Sequence, residues 1–399
     1  MNEISESDNS FLTDSFDEEE IKDAIWNCDS HKSPGPDGVT FSFIKKYWGT
    51  LKKEVSGALK FFHREGKIPK GCNASFITLI PKSDNPQSLE EYRPISLVGC
   101  MYKILTKVLS NRIKKVIEKV IDGSQSAFLS NRGLLDSVLV VNEVLEDLKR
   151  RRKKGVIVKL DFEKAYDSVS WEFLFYMMGR LGFCGRWIQW IKACLESATV
   201  SVLVNGSPTK EFKPSRGLRQ GDPMAPFLFL IVAQGLAGLV KQATTKNLYS
   251  GIKVGEKKVE VNLLQFADDT LFVCESKVQN ILCIKAILRC FELSSGLKVN
   301  FYKSKIGAIG VERNEVKMYS DILHCSLMDI PFTYLGLTIG GNPSRYAFWE
   351  PVLSKIRKKL SVWKGRNMSF AGRVLSYKIR HQRYTTFLSI LFQGTEWSV

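Results

Sequence analysis

Apolar residues recur along this chain with two different spacings, and the spacings distinguish helices from strands. Apolar positions three and four residues apart predict helices at 41–64, 94–120, 134–149, 171–195, 223–240 and 277–293. Short apolar runs bounded by polar or turn residues predict strands at 76–80, 156–162, 199–204, 261–267 and 270–273. Because helices and strands do not alternate strictly, the pattern favours an α+β domain over a doubly wound fold.

The two ends of the chain depart from this pattern. Residues 1–14 are polar and acidic and lack the basic and apolar regions of a signal peptide, so we expect them to be disordered. A capping box at Ser15–Glu18 then predicts the start of a helix. Residues 348–363 have apolar positions at helical spacing beside the basic stretch Lys355–Lys359, which predicts a helix with a cationic face.

Composition narrows the class of protein. The chain has 399 residues, of which 44% are apolar, enough for a sizeable core in two or three domains. Its formal net charge of +17 attracts polyanions, nucleic acid foremost. An anionic membrane surface would also attract it, but no apolar run approaches the 20 or so residues that span a bilayer. The run Phe227–Val232 is interpreted as buried core.

The cysteines indicate a reducing compartment. There are nine of them, an odd number, and no two are spaced as Cys-x2-Cys. We therefore expect free thiols in an intracellular protein of the cytoplasm, the nucleus or both. The four histidines are far apart in the sequence and form no zinc-like motif.

Three carboxylates are the first candidates for chemistry. Asp268 and Asp269 lie between two apolar segments, and adjacent like charges near apolar strands are costly unless a cation neutralises them. On its own, this pair is more typical of an acidic hairpin tip that faces water, because acidic turns are common. Asp161 ends the strand at 156–162, where a lone Asp is often a helix cap. Together the two sites predict a magnesium site, and two ions about 4 Å apart could serve phosphoryl transfer.

Cations and a glycine-flanked loop are weaker candidates. Gly217–Gly221 enters a helix, and Gly221 would let a base pair approach the backbone closely. Lys82 and Arg93 stand beside short strands, as phosphate-binding residues often do. The alternatives are an ordinary helix entry and solvated surface cations.

Nine ordered blocks give the whole chain a resemblance. The set resembles the reverse transcriptase of non-LTR (LINE-type) retrotransposons over roughly residues 15 to 375, and the residues of its motifs resemble the plant type most. The blocks are Lys32–Gly38, Ile80–Lys82, Tyr92–Leu97, Gln125–Phe128, Leu160–Asp167, Gly217–Asp222, Phe266–Asp269, Gly296–Asn300 and Tyr334–Leu337.

The resemblance implies a right-hand polymerase with fingers, palm and thumb. A small antiparallel palm sheet would be packed on helices. We expect an N-terminal extension and fingers over 15–154, a palm with some finger elements over 155–340, and a partial helical thumb over 341–399. From about residue 376 the chain diverges from the family, which implies a truncated thumb.

The resemblance also implies roles for the palm residues. Asp161, Asp268 and Asp269 match the family's metal-binding aspartates, and Phe162 would offer its backbone carbonyl to a metal. Two Mg²⁺ ions are implied, with Mn²⁺ as an alternative. Tyr166 matches the gate beneath the nucleotide sugar, whose ring would clash with a 2′-hydroxyl.

Further residues match the family's nucleotide-binding parts. Lys82 and Arg93 resemble the finger residues that hold the triphosphate. Gln220 and Gly221 match the loop that contacts the incoming nucleotide and template. Lys303 is a candidate general acid for the leaving pyrophosphate. Tyr334–Leu337 resembles the primer grip, and Lys355–Lys359 would follow the duplex as part of a thumb helix.

The implied activity is RNA-directed DNA polymerisation. The partners would be an RNA template, a DNA primer, their hybrid and deoxynucleoside triphosphates, without a membrane. Endonuclease activity would have to come from another chain or reading frame. One departure is Ala225, where the family usually has serine. The alternatives are an inactive retrotransposon relic that acts at most as a basic nucleic-acid-binding protein and, ranked lower, a group II intron maturase.

Overall fold

The computed structural model describes residues 2–341, 350, 353 and 354. The basic residues of Lys355–Lys359 and the divergent end from about residue 376 lie outside these residues, so the thumb predictions rest on sequence alone. Within the described residues the architecture is α+β, as the periodicity predicted.

The N-terminal helices cover one side of the molecule. They are α1 (Glu6–Thr13), α2 (Glu18–Trp26), α3 (Phe41–Lys46) and α4 (Trp48–Glu65). The prediction that residues 1–14 are disordered is wrong. Helix α1 is closed by a capping box between Ser5 and Asp8 and buries Leu12 completely. The next helix is capped by Asp17, two residues later than the capping box in the sequence suggested.

Arg112 attaches these helices to the rest of the molecule. Its side chain is 4% exposed, and its guanidinium makes two 2.7 Å bonds to the carboxylate of Glu20. It also donates to the carbonyls of Leu12, Asp14 and Ser15. These long-range bonds explain why an acidic segment is ordered, which its composition could not show.

A four-stranded sheet follows, in the order β2-β1-β4-β5. Its strands are β1 (Ala74–Pro81), β2 (Tyr92–Val98), β4 (Thr199–Val204) and β5 (Ser207–Pro208). β1 pairs antiparallel with β2 and parallel with β4. Residues 94–98 therefore form a strand, not the start of the predicted helix, because their backbone groups are used by β1. That helix, α5 (Cys100–Val116), begins after Gly99.

A five-stranded sheet has the order β11-β10-β3-β9-β8. Its strands are β3 (Gly155–Leu160), β8 (Leu263–Phe266), β9 (Asp269–Glu275), β10 (Lys305–Ile309) and β11 (Ser326–Leu327). β3 lies at the centre, antiparallel to β9 and β10, and all its residues except Lys159 are buried. Two hairpins complete the strands: β6 (Ile252–Val254) with β7 (Val259–Val261), and β12 (Phe332–Tyr334) with β13 (Leu337–Ile339).

Further helices surround these sheets. They are α6 (Leu134–Arg150), α7 (Ala165–Ser168), α8 (Trp171–Arg180), α9 (Gly185–Glu196), α10 (Ala225–Thr245), α11 (Val278–Ser295) and α12 (Arg313–Leu323). The helix predicted over 171–195 is two helices, since Gly182 takes a left-handed backbone conformation between them.

Helix α10 runs through the core. By length and composition alone, the 21 residues of this helix could cross a membrane. The apolar segment is therefore longer than the run Phe227–Val232 that was identified in the sequence. However, 67% of its apolar window is buried inside the molecule, against α5, α8 and α11 among others. It is therefore a core helix, as the interpretation of Phe227–Val232 required.

Candidate active site

Strand register brings the three predicted carboxylates to one edge of the five-stranded sheet. Leu160, the last residue of β3, lies opposite Thr270 of β9, so Asp161 follows beside Asp269. Phe266 pairs with Asp269, which leaves Ala267 and Asp268 as the two central residues of the turn. Asp161 is more than 100 positions away from Asp268 and Asp269 in the sequence, and it comes close to them only because β3 and β9 are neighbours.

The backbone around Asp161 is fixed by the segment that precedes β10. The Asp161 N–H donates to Ser304 Oγ at 3.2 Å, and its carbonyl accepts from the Asn300 N–H at 2.8 Å. Phe162 is buried and forms an isolated antiparallel bridge with Val299. The chain therefore leaves β3 along a defined path, which determines where the Asp161 side chain begins.

The carboxylates influence one another electrostatically. The residues Asp268 and Asp269 are both exposed at the surface. Burial nevertheless raises the pKa of Asp268, and the charge of Asp161 raises it further. Burial also raises the pKa of Asp269, the charges of Asp268 and Asp161 add to that effect, and the Lys159 ammonium opposes it. Partly desolvated like charges of this kind are stabilised by a bound cation.

The donor set fits magnesium, which prefers a few carboxylates completed by water and phosphate oxygens. Among the described residues, however, no three His, Cys, Asp or Glu side chains are gathered closely enough to form a ready-made metal cluster. The assignment of Asp161, Phe162, Asp268 and Asp269 as metal ligands thus stays a prediction, supported by the strand register and the raised pKa values.

Tyr166 lies between the carboxylates and the glycine-flanked loop. Its ring is stacked on Phe229 of α10, with centroids 4.8 Å apart and planes 13° apart. Burial raises the pKa of its phenol, and the negative charge of Asp268 adds to the rise. Its carbonyl accepts from the Leu218 N–H at 2.7 Å. The ring is thus held against Phe229 within the electrostatic influence of Asp268, and its role as a sugar gate stays a prediction.

The glycines of the loop at 217–222 allow close contacts between this loop and other parts of the protein. The Gln220 carbonyl accepts from the Ser96 N–H at 2.8 Å, which joins the loop to β2. At Gly221, whose φ is +112°, a Cβ would lie 2.8 Å from the Ser96 carbonyl oxygen. The sequence suggested that Gly221 makes room for a base pair. The close neighbour in the structure is the protein's own strand β2, and the approach of a base pair to Gly221 stays a prediction.

A buried polar network beneath this loop was missed by the sequence reading. The guanidinium of Arg219 lies over the Tyr102 ring, 4.4 Å from its centroid, and donates to Asn73 Oδ1 at 2.7 Å. Asp222 Oδ2 accepts from the Tyr102 hydroxyl at 2.8 Å and from Arg219 at 3.3 Å. The Arg-x-x-Asp spacing was the only local signal, because Tyr102 and Asn73 are over 100 residues away.

The predicted phosphate-binding cations lie on the four-stranded sheet. Arg93 is opposite Ile80, and Lys82 donates through Nζ to the Glu90 carbonyl at 2.6 Å. Both side chains are exposed. Burial raises the pKa of Asp167, and the charges of Lys164 and Lys82 oppose that rise. Lys82 therefore acts electrostatically on the segment next to Tyr166, while Arg93 faces solvent.

Two further predictions concern the segments beside the carboxylates. Lys303 is exposed in the turn at 300–304, on the same segment that binds the Asp161 backbone, and its role stays a prediction. Tyr334 is fully buried in β12, and its hydroxyl has no hydrogen-bond partner among the described residues. Burial raises the pKa of this phenol, and the charge of Asp269 adds to the rise. Lys159 Nζ donates to the Thr333 carbonyl at 2.9 Å, which holds the hairpin against β3.

Comparisons with known proteins show which proteins this chain is similar to. A family model described as reverse transcriptase (RNA-dependent DNA polymerase) matches residues 80–339. The transposon TX1 uncharacterized 149 kDa protein of Xenopus laevis is 27% identical over 369 residues, which are 90% of this chain and 27% of that protein. A retrovirus-related Pol polyprotein from the type-1 retrotransposable element R2 of Popillia japonica is 29% identical over 289 residues, 72% of this chain and 38% of that protein.

A solved structure of apo telomerase from Candida tropicalis, truncated from its C-terminal domain, is also similar. It has a TM-score of 0.47 and 17% sequence identity, and the match covers 75% of this chain and 59% of that chain. The present chain spans 27% and 38% of the length of the two curated relatives above.

Proposed function

Because the chain belongs to the reverse transcriptase (RNA-dependent DNA polymerase) family, we propose that it catalyses RNA-directed DNA synthesis for a non-LTR retrotransposon. Its fold is the α+β right-hand polymerase fold that the resemblance implied. One observation carries the proposal: the register of β3 and β9 brings Asp161, Asp268 and Asp269 to one sheet edge. The reaction is attack of a primer 3′-hydroxyl on the α-phosphorus of a deoxynucleoside triphosphate.

Asp161, Asp268, Asp269 and the carbonyl of Phe162 would hold two Mg²⁺ ions, with Mn²⁺ as an alternative. Bound ions of this kind activate the attacking oxygen and neutralise charge on the leaving pyrophosphate. The support is the donor chemistry and the mutual repulsion of the carboxylates, which a cation relieves. The protein's own contribution is to hold these oxygens in place before the substrate arrives.

Other residues would position the nucleotide. Tyr166, fixed by its stacking on Phe229, excludes a 2′-hydroxyl and so selects deoxynucleotides. Lys82 and Arg93 neutralise the triphosphate, and Gln220 and Gly221 contact the nucleotide and template from the loop joined to β2. Lys303 donates a proton to the leaving pyrophosphate.

The partners follow from charge and chemistry. The net charge of +17 suits an RNA template, a DNA primer and their hybrid, which are all polyanions. We propose an intracellular location, which the free cysteines support. We also propose that the retrotransposon is of the plant type, which the residues of the nine sequence blocks support.

The test is the substitution Asp268→Asn. Primer extension by deoxynucleotides on an RNA template with Mg²⁺ should fall at least about a hundredfold, because the amide cannot replace a charged metal ligand. Template–primer affinity, measured by fluorescence anisotropy, should stay within about twofold, since phosphate contacts dominate binding.

The matched control is Glu163→Gln. It makes the same carboxylate-to-amide change two residues from Asp161, at a side chain that pairs with Lys298 at 3.3 Å. Extension should survive in this variant. Extension retained by Asp268→Asn would refute the site, whereas wild-type binding without any synthesis would favour the inactive relic.

A further inference from the structure

A glutamine from outside the five-stranded sheet contacts the turn that presents the aspartate pair. Gln125 lies in the connection between α5 and α6 and is 2% exposed. Its Oε1 accepts from the backbone N–H of Ala267 at 2.9 Å and from that of Ala127 at 3.0 Å. Since both partners are N–H donors, the amide must present its oxygen to them.

Ala267 needs support because of its backbone. Its φ is +55°, in the left-handed region, and it is the first central residue of a two-residue turn. Hairpin turns with a positive φ at this position ordinarily have glycine there. A residue with a Cβ pays roughly 1–2 kcal/mol for such a conformation, so neighbouring contacts must stabilise it. The bond to Gln125 is made at this residue, directly before Asp268.

The connection that carries Gln125 is anchored to the same strand. Gln125 forms an isolated parallel bridge with Gln265, in which the Gln265 N–H donates to the Ser124 carbonyl at 2.7 Å and the Ser126 N–H donates to the Gln265 carbonyl at 2.9 Å. The Arg132 guanidinium donates to the Gln125 carbonyl at 2.8 Å. Gln125 is thus attached to β8 on one side and to Arg132 on the other, which makes its side chain a fixed support.

The unused half of the side chain indicates what the residue is for. Gln125 Nε2 is buried and has no hydrogen-bond partner among the described residues. A buried donor without a partner costs about 1–3 kcal/mol. The side chain is buried despite this cost, and its oxygen accepts two hydrogen bonds. We therefore infer that its role is to accept the hydrogen bond from the turn.

From these contacts we propose that Gln125 is a positioning residue for the polymerase reaction, because through Ala267 it fixes the turn that places the Asp268 carboxylate beside Asp161. The inference rests on the proposed function. It adds a residue that touches neither substrate nor metal and acts only through the turn.

The test compares two glutamine-to-methionine variants. Gln125→Met keeps the approximate volume and removes the acceptor. The matched control is Gln234→Met, since Gln234 is also buried and its Oε1 accepts from the Asp122 N–H at 2.8 Å, at the start of the same connection. Gln234 itself lies in α10, so the two variants each remove a buried amide oxygen that accepts a backbone N–H of this connection, but only Gln125 contacts the turn.

We expect Gln125→Met to lower kcat for primer extension about tenfold or more, with KM for the nucleotide and template–primer affinity within about twofold. Gln234→Met should keep kcat within about twofold. A purely structural role would lower kcat equally in both variants or alter KM as well. An equal loss in the two variants, or an unchanged kcat in Gln125→Met, overturns the proposal.

Hydrogen–deuterium exchange separates this inference from the proposed function. In the wild type the Ala267 amide should exchange slowly, because its acceptor is a buried side chain, and in Gln125→Met exchange at 267–269 should accelerate at least about tenfold. Rapid exchange of Ala267 in the wild type would overturn the inference whatever the variants do. If the wild type extends no primer, the polymerase proposal fails, and the exchange comparison still decides whether Gln125 holds the turn.

Discussion

At the scale of single residues, the candidate site contains groups whose surroundings or backbone conformation are energetically unfavourable. Asp268 and Asp269 are partly desolvated beside another carboxylate, and Ala267 has a backbone conformation that suits glycine. Such features persist only where the surrounding structure imposes them, and they cluster where function requires a fixed geometry. Here the imposed geometry is a sheet edge that carries three carboxylates, which we propose bind cations.

Tyr166 gives a prediction at this scale. Because its ring is held against Phe229, Tyr166→Ala should open space under the sugar and raise the relative incorporation of ribonucleotides about tenfold or more. Tyr166→Phe keeps the ring and should keep the discrimination. Competition between dNTP and rNTP in single-nucleotide extension measures the ratio, and equal ratios in wild type and Tyr166→Ala would contradict the gate.

At the scale of elements, the N-terminal helices are part of the folded unit. The Asp8 carboxylate accepts from Ser5 N–H and pairs with Lys119 at 2.6 Å, which joins α1 to the end of the α5 region. Arg112 does the same for α2 through Glu20. Helix α1 is only eight residues long, and a helix that short is marginal without such tertiary contacts.

Asp8→Asn tests this attachment. The bonds from Lys119 and Ser5 hold the pKa of Asp8 below its ordinary value of 3.8. A lowered folded-state pKa means that the carboxylate stabilises the fold above that ordinary value and ceases to do so as pH falls through the folded pKa. Because Lys119 is largely exposed, the variant should lose at most about 1 kcal/mol of unfolding free energy from pH 5 to 8, and the difference should shrink below pH 4.

Urea unfolding at several pH values measures the difference. Glu6→Gln is the control, because Glu6 is an exposed carboxylate in the first turn of the same helix. A pH-independent difference for Asp8→Asn, or an equal loss in Glu6→Gln, would contradict the attachment through the ionised carboxylate.

At the scale of the whole molecule, the positive charge and the placement of the site act together. The loop at 217–222 is joined to β2 by Gln220 and to Tyr166 by Leu218. The charge of Lys82, which directly follows β1, acts on Asp167, the residue next to Tyr166. A polyanion attracted by the net charge of +17 would be directed by these local charges.

The salt dependence of binding tests the role of charge. If six or more phosphates are contacted, template–primer affinity should fall about a thousandfold or more between 50 and 200 mM salt. Asp268→Asn should show the same slope, because it removes no phosphate contact. Anisotropy titrations give the slope, and an affinity insensitive to salt would show that binding does not depend on phosphate neutralisation.

The sequence by itself determined most of the secondary structure of this protein and the family that it resembles. The apolar periods predicted most helices and the strands that carry Asp161, Asp268 and Asp269, since amphipathic spacing is a local property. The ordered motifs resembled the family that the comparison identified. The apolar spacing gave a wrong prediction at residues 94–98, where pairing with β1 overrides local preference. The acidic composition gave a wrong prediction at residues 1–14, which include a helix that packs on the rest of the protein.

Only the tertiary structure decided which distant polar groups meet. The contacts of Arg219 with Tyr102 and Asn73, of Arg112 with Glu20, and of Gln125 with Ala267 join residues about 90 to 150 positions apart. Polar side chains of this kind leave no periodic trace in the sequence, because their specific contacts do not recur at a fixed spacing. Hydrophobic pattern thus determines the elements, whereas the geometry of the site depends on bonds that exist only once the elements have packed.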